Sequence, residues 1–297
     1  MPTRFDHAII AVRDLDSAIA RFQHLGFDVE PGGRHTGRGT HNGLARFGLD
    51  YFELLSVYDE QEARAYQRGG RILLDELAGR EGALVGYALA TNTIEADAKR
   101  FRGTGSELPA PNAMARKRPD GNVLSWRTLA PGGNSWKKPW PFLIQWDTPD
   151  EQRLQIDRPG MHPNGTQYWA RVAVATHDLE STLDVYHSQL GLELISLADD
   201  PAQNAHHATL SIGKYTIDLF APIGAGLIQQ TLTENREGPF LLTYAVKDLA
   251  ETRAFLTQRA ITFVENADSL DLAPEEAFGV RIRFTFQACK QVDTIDQ

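Results

Sequence analysis

The chain has 297 residues, 42% of them hydrophobic and 23% charged, which is ordinary for a folded protein with ample material for a core. Lys and Arg number 30 against 39 Asp and Glu, a formal charge of −9, so no basic field exists to attract a polyanion such as nucleic acid. The single cysteine, Cys289, excludes an intrachain disulfide framework and a Cys-based zinc site.

A strand is predicted from His7, followed by a helix. Asp14 can accept from the free amides of the first turn, Leu15, Ile19, Phe22 and Leu25 recur at helical spacing, and Gly26 supplies a left-handed stop. After a break at Pro31-Gly32-Gly33, strands are expected over 41–47 and 51–57 around Gly48-Leu49-Asp50. Residues 59–81 read as a helical connector. A second unit follows, with a strand over 85–91, a helix over 94–101 and strands over 114–118, 123–129 and 142–146. The stretch rich in Pro, Gly, Asp and Gln after it reads as a linker.

From Arg171 the opening pattern returns: a strand, a helix ending at Gly191, and strands over 206–212 and 215–221. Its offset from the first copy is 164 residues at the strand and 165 at the helix-ending glycine, a regularity that composition alone does not produce. A fourth copy has a strand over 241–246, a helix with Asp248 and Glu251 as a capping box, and strands over 261–265 and 280–287, without a clean third strand. The expectation is an α+β fold of about four tandem βαβββ modules paired into two domains. The first domain spans 1–150 (modules 1–57 and 83–147), a linker 151–166, and a degenerate second domain 167–297 (modules 167–222 and 239–288). The N-terminus has no secretory pattern and no apolar run approaches the roughly 20 residues that cross a bilayer, so a cytoplasmic protein without membrane contact is expected.

Four such modules, with strand sets that curl around a cavity, resemble the vicinal-oxygen-chelate superfamily of glyoxalases, bleomycin-resistance proteins and extradiol dioxygenases. The run Gly32-Gly33-Arg34-His35-Thr36-Gly37-Arg38-Gly39-Thr40-His41-Asn42, the strand Tyr51-Phe52-Glu53-Leu54 and the later Pro141-Phe142-Leu143-Ile144-Gln145-Trp146 are similar to the bacterial glyoxalase-like domain group. This likeness is close over the first half of the chain. It implies metal ligands at the start of a module's first strand and in its last, here His7 and Glu53, and a divalent Fe, Mn, Ni or Zn ion. A hairpin register that sets Glu53 opposite Ala45 and Val57 opposite His41 adds His41 to the same face, and a slip of one residue removes it.

The partner module offers Gly86 and Gln145 where ligands would stand, and the third offers Arg171 and Asp218, expected as an ion pair in place of a metal. Arg116, Trp126 and Gln145 are expected to contact substrate, and His35 to order its loop or line the cavity rim. His206 and His207 point to opposite faces of one strand.

The resemblance thus implies a metal-dependent lyase or isomerase acting on a small oxygenated metabolite in the N-terminal domain, with Glu53 moving the proton. Two alternatives stand beside it: a metal-free protein that sequesters a small molecule, and an extradiol-type dioxygenase, which needs His41 to complete two imidazoles and a carboxylate. The second domain is expected to be structural and to serve a homodimer.

Overall fold

The computed structural model describes residues 1–66, 70–103, 110–133 and 135–286; Cys289 and the end of the last expected strand, Gln287, lie outside them. The first half supplies β1 (Pro2–Val12), β2 (Val29–His35), β3 (Thr40–Arg46), β4 (Tyr51–Val57), β5 (Gly82–Thr91), β6 (Asn112–Lys117), β7 (Val123–Leu129) and β8 (Phe142–Trp146). These strands close into a barrel in the order β1-β4-β3-β2-β6-β7-β8-β5. Helices α1 (Leu15–His24), α2 (Glu60–Ala65), α3 (Gly70–Leu77) and α4 (Ile94–Gly103) join them. Asp14 caps α1 by accepting from Ser17 N, and Leu15, Ala18 and Phe22 bury its inner face.

The expected break at Pro31-Gly32-Gly33 is instead part of β2, and it makes the barrel's seam. There β2 pairs with β6, Arg34 against Lys117 and His35 against Arg116. Gly33 has φ +130°, and a Cβ on it would stand 2.1 Å from the Lys117 carbonyl oxygen. Only glycine tolerates both the conformation and the approach.

The second half supplies β9 (Thr166–Ala175), β10 (Glu193–Asp200), β11 (Ala205–Ile212), β12 (Tyr215–Pro222), β13 (Gly238–Val246), β14 (Phe263–Glu265), β15 (Ser269–Leu272) and β16 (Arg281–Phe286). Their order, β10-β11-β12-β9-β13-β16-β15-β14, repeats the barrel's succession but stays open where the barrel has its seam. Strands β10 and β15 had no counterpart in the sequence reading. Most of β10 is exposed on both faces, so no alternation marks it, and β15 has only four residues.

The stretch expected to be a linker carries α5 (Asp150–Ile156), which turns a buried Arg153 toward the barrel. Its polar composition suits a linker; the buried acid that receives Arg153, Asp6, lies far away in sequence.

One hydrophobic cluster runs through both halves. Phe27 stands 5.3 Å from Tyr244 and 5.9 Å from Phe284, and the hydroxyls of Tyr87 and Tyr186 are hydrogen-bonded. Trp169 N donates to Asp50 at 3.0 Å. Burying each such ring contributes roughly 1.5–3 kcal/mol. The two sheets meet by their outer faces, which leaves the inside of the barrel free.

Candidate functional site

Alternation along the barrel strands decides which side chains face inward. His7 of β1, His35 of β2, Asn42 of β3, Glu53 of β4, Arg116 of β6 and Trp126 of β7 surround a cavity of about 170 Å³. Helix α3 closes one side by laying Leu73 and Leu77 against Ile9 and Leu55.

Glu53 is 6% exposed. Asn42 Nδ2 donates to its Oε1 at 2.6 Å, His35 Nε2 stands 3.5 Å from Oε1, and His7 Nε2 stands 3.8 Å from Oε2. Both imidazoles are held from behind. His7 Nδ1 meets Asp6 Oδ1 at 2.8 Å, and its ring lies flat on Tyr51 at 4.8 Å. Asp6 is fully buried and also receives Arg4 at 3.0 Å, Arg153 at 3.6 Å and the Trp146 indole N–H at 3.0 Å. Burial pushes the Asp6 carboxyl up, yet the bond to His7 and the charges of Arg153 and Arg4 outweigh it and hold the group far below the usual carboxylate range. An ionised Asp6 accepts the proton on His7 Nδ1, so Nε2 is the ring nitrogen that faces Glu53.

His35 Nδ1 is 3.0 Å from Thr40 Oγ1. Burial lowers its pKa to about 4, with Glu53 opposing and Arg116 adding, so the ring is neutral at neutral pH. Burial, then Asp6 and Glu53, raise the Tyr51 hydroxyl well above the phenol range. Arg116 is 3% exposed, and its Nε has no hydrogen-bond partner.

Two residues expected at the site lie elsewhere. The β3–β4 register pairs Glu53 with Leu44 and His41 with Ser56, one residue away from the expected register. That slip turns His41 out of the cavity, edge-on to Tyr58, and brings Asn42 in. The second imidazole beside Glu53, with that of His7, is His35, which ends β2 rather than lying in a loop. Gln145 also faces away from the cavity: its Oε1 accepts from Ile94 N at 2.9 Å, at the start of α4. Trp146, the next residue, faces in. Asp6 and Asn42 were missed; an acid directly before His7 and an amide in alternation with Thr40 were the signals available.

In the second sheet Arg171 Nη1 is 2.9 Å from Asp218 Oδ2, and His207 Nε2 and Thr209 Oγ1 each stand 2.9 Å from Oδ1. His206 instead meets Asp199 at 2.6 Å.

A family model described as glyoxalase-like domain matches residues 5–190, more than half of the chain and all of this barrel from Phe5 onward. The chain belongs to the glyoxalase-like domain family. A second model, described as the glyoxalase/bleomycin resistance protein/dioxygenase superfamily, matches residues 170–271, which hold most of the second sheet of this glyoxalase-like chain. Among curated proteins, none matches. Of solved structures, a hypothetical protein from Staphylococcus aureus is similar over 95% of this chain and 99% of its own, with TM-score 0.68 at 17% identity. A methylmalonyl-CoA epimerase from Mycobacterium tuberculosis aligns with 42% of this chain and 90% of its own, with TM-score 0.39 at 24% identity. At such identities the likeness is one of fold.

The glyoxalase-like fold raises the matter of a metal ion. Among the described residues no three His, Cys, Asp or Glu side chains are grouped as a metal centre. Ligands about 2.1 Å from a common ion sit roughly 3 Å from one another. The gaps of 3.5 and 3.8 Å from Glu53 to the two imidazoles exceed that modestly. In chemistry the set fits a divalent ion: two imidazoles, each anchored at Nδ1, and a carboxylate converge through Nε2 and Oε atoms.

Proposed function

We propose that the protein is a glyoxalase-like enzyme of the lyase or isomerase kind, which moves a proton on a small oxygenated substrate inside the N-terminal barrel. One observation carries this reading: a single carboxylate, Glu53, lies buried in the barrel cavity beside two imidazoles whose far nitrogens are occupied. A base in this position works on a carbon acid because the buried lining shields it from bulk water, and the imidazoles would hold an ion to meet a developing oxyanion.

Glu53 would take the proton from the carbon next to a carbonyl and return it. Asn42 holds one carboxylate oxygen, leaving the other free to act. Asp6 fixes the tautomer of His7, and Tyr51 fixes the plane of its ring. His7, His35 and Glu53 are the residues that would hold a divalent ion, and such an ion, when bound, supplies Lewis-acid polarisation of the substrate oxygen.

The test is uptake of deuterium from heavy water at carbons next to the carbonyl, followed by NMR over a panel of small oxo acids, aldehydes and ketones. Exchange by the natural protein that falls at least ~100-fold in Glu53→Gln supports the proposal. Equal exchange by both proteins refutes it. The second reading, sequestration without chemistry, draws on the aromatic wall formed by Trp126 and Trp146, 5.0 Å apart. It predicts tight binding with no exchange in either protein.

A further inference from the structure

We infer that the barrel takes a small monocarboxylate with a flat apolar body, its carboxylate on Arg116 and its body against Trp126, Trp136 and Phe142. This rests on the barrel being the working site, and it names the ligand class that the site selects.

Arg116 is 3% exposed, lines the cavity and leaves its Nε unpartnered. Among the described residues it enters no ion pair. A guanidinium cannot shed its proton to escape this cost, so a buried one requires a counter-charge or a shell of acceptors. The cavity's own carboxylate does not serve, because Glu53 is engaged by Asn42 and flanked by His35 and His7. The missing partner is an anion from outside, and a planar carboxylate matches the guanidinium fork.

The number of charges sets the valence. Lining side chains include two guanidiniums, Arg38 and Arg116, against one carboxylate, Glu53. One negative charge balances the surplus. This local excess of positive charge stands out in a chain whose formal charge is −9.

Size and lining set the body. An apolar cavity of about 150 Å³ accepts a benzene ring, and this one measures about 170 Å³. Its walls offer aromatic faces and edges: Trp126 lies 5.0 Å from Trp146 and edge-on to His35 at 6.1 Å, and Phe142 is edge-on to His7 at 5.5 Å. Such faces favour a flat ring over a polyol or a long chain.

The test is calorimetric titration of the full chain with phenylacetate, benzyl alcohol, acetate and phenyl phosphate. Phenylacetate is expected to bind at least tenfold tighter than each of the other three. Arg116→Gln is expected to weaken phenylacetate about 10- to 100-fold, the range for a lost charge-assisted hydrogen bond, and to leave benzyl alcohol within about threefold. Trp126→Ala is expected to weaken both ring probes. Should Arg116→Gln fail to fold, Arg116→Lys, which keeps the charge and loses the fork, must keep phenylacetate ahead of benzyl alcohol.

Benzyl alcohol or acetate binding as well as phenylacetate overturns the inference, and so does a preference for phenyl phosphate. Glu53→Gln separates this claim from the one it rests on, since it should bind phenylacetate at least as tightly while losing exchange. Binding without exchange in the natural protein sinks the enzyme reading alone. Exchange on neutral carbonyl compounds, with no binding of phenylacetate, sinks this inference alone.

Discussion

His35 and Arg116 are paired across the barrel's seam, where the last residue of β2 meets β6. The pairing that closes the barrel therefore also sets the neutral imidazole near Glu53 beside the buried guanidinium. Closure and site assembly are one event, and a lesion in the seam disturbs both.

Gly33→Ala tests that coupling. The added methyl would stand 2.1 Å from the Lys117 carbonyl at a φ of +130°, so β2 must leave β6. We expect a loss of about 2–4 kcal/mol, read by urea unfolding, and loss of whatever ligand the barrel binds. An unchanged midpoint would mean that the seam does not hold the barrel together.

Asp6→Asn removes the charge that faces Arg4 and Arg153 and weakens the hold on His7 Nδ1. Two largely buried guanidiniums lose their buried counter-ion and keep only Asp150, at 2.9 Å from Arg4 and 3.9 Å from Arg153, at a cost of about 3–5 kcal/mol. The thermal midpoint should fall by many degrees, well below that of Asp150→Asn, whose carboxylate is 43% exposed.

The corrected register makes a prediction about metal. Manganese or zinc titrated into the protein and measured by equilibrium dialysis should bind at least ~10-fold more weakly to His7→Ala and His35→Ala. His41→Ala should match the natural protein, because that imidazole lies outside the cavity. Loss of the ion in His41→Ala would restore the register rejected here.

His162 gives a pH dependence with a definite sign. Its Nδ1 accepts from Asp28 N at 3.0 Å and its Nε2 proton goes to the Arg46 carbonyl at 2.9 Å, so the fold uses the neutral ring. Burial lowers its pKa, with the Arg46 bond and Asp28 only partly opposing. The unfolded chain takes the proton first as pH falls below about 6.5. Stability is thus present above that pH and declines below it, toward the folded-state value, by at most ~1.4 kcal/mol per pH unit for one proton. Urea midpoints between pH 7.5 and 5.5 should fall less in His162→Gln than in the natural protein. Equal slopes would remove His162 from the account.

Gln145→Ala should cost about 0.5–2 kcal/mol through the loss of the acceptor at the start of α4. Ligand affinity in the barrel should stay the same, which separates this residue from Trp126 on the neighbouring strand.

Local pattern was enough to read the modules. The unbroken apolar run after His7, the Asp14 cap, the Gly26 stop and the recurrence of all three near Arg171 are short-range facts, and they carried the βαβββ order and the family resemblance. Glu53 stood out because a carboxylate within an apolar strand requires a partner, and His7 because the family resemblance implies a ligand at the start of the first strand. What stayed illegible depended on registers. A strand has a period of two, so one residue of slip between β3 and β4 exchanged His41 for Asn42. The glycines of β2 look like a turn until Lys117, more than eighty residues later, occupies the space a Cβ would need.

The sequence by itself thus determined the kind of module, the number of its copies and, with β2 and its His35 excepted, the strands on which the site's polar residues ride. Tertiary structure decided which of those residues meet. His35 with Glu53 and Arg116 in its cavity arise from strand pairing and barrel closure, and Asp6 with Arg153 from the packing of α5 on the barrel. These are contacts between segments far apart along the chain, and they are set by packing and register rather than by any local propensity.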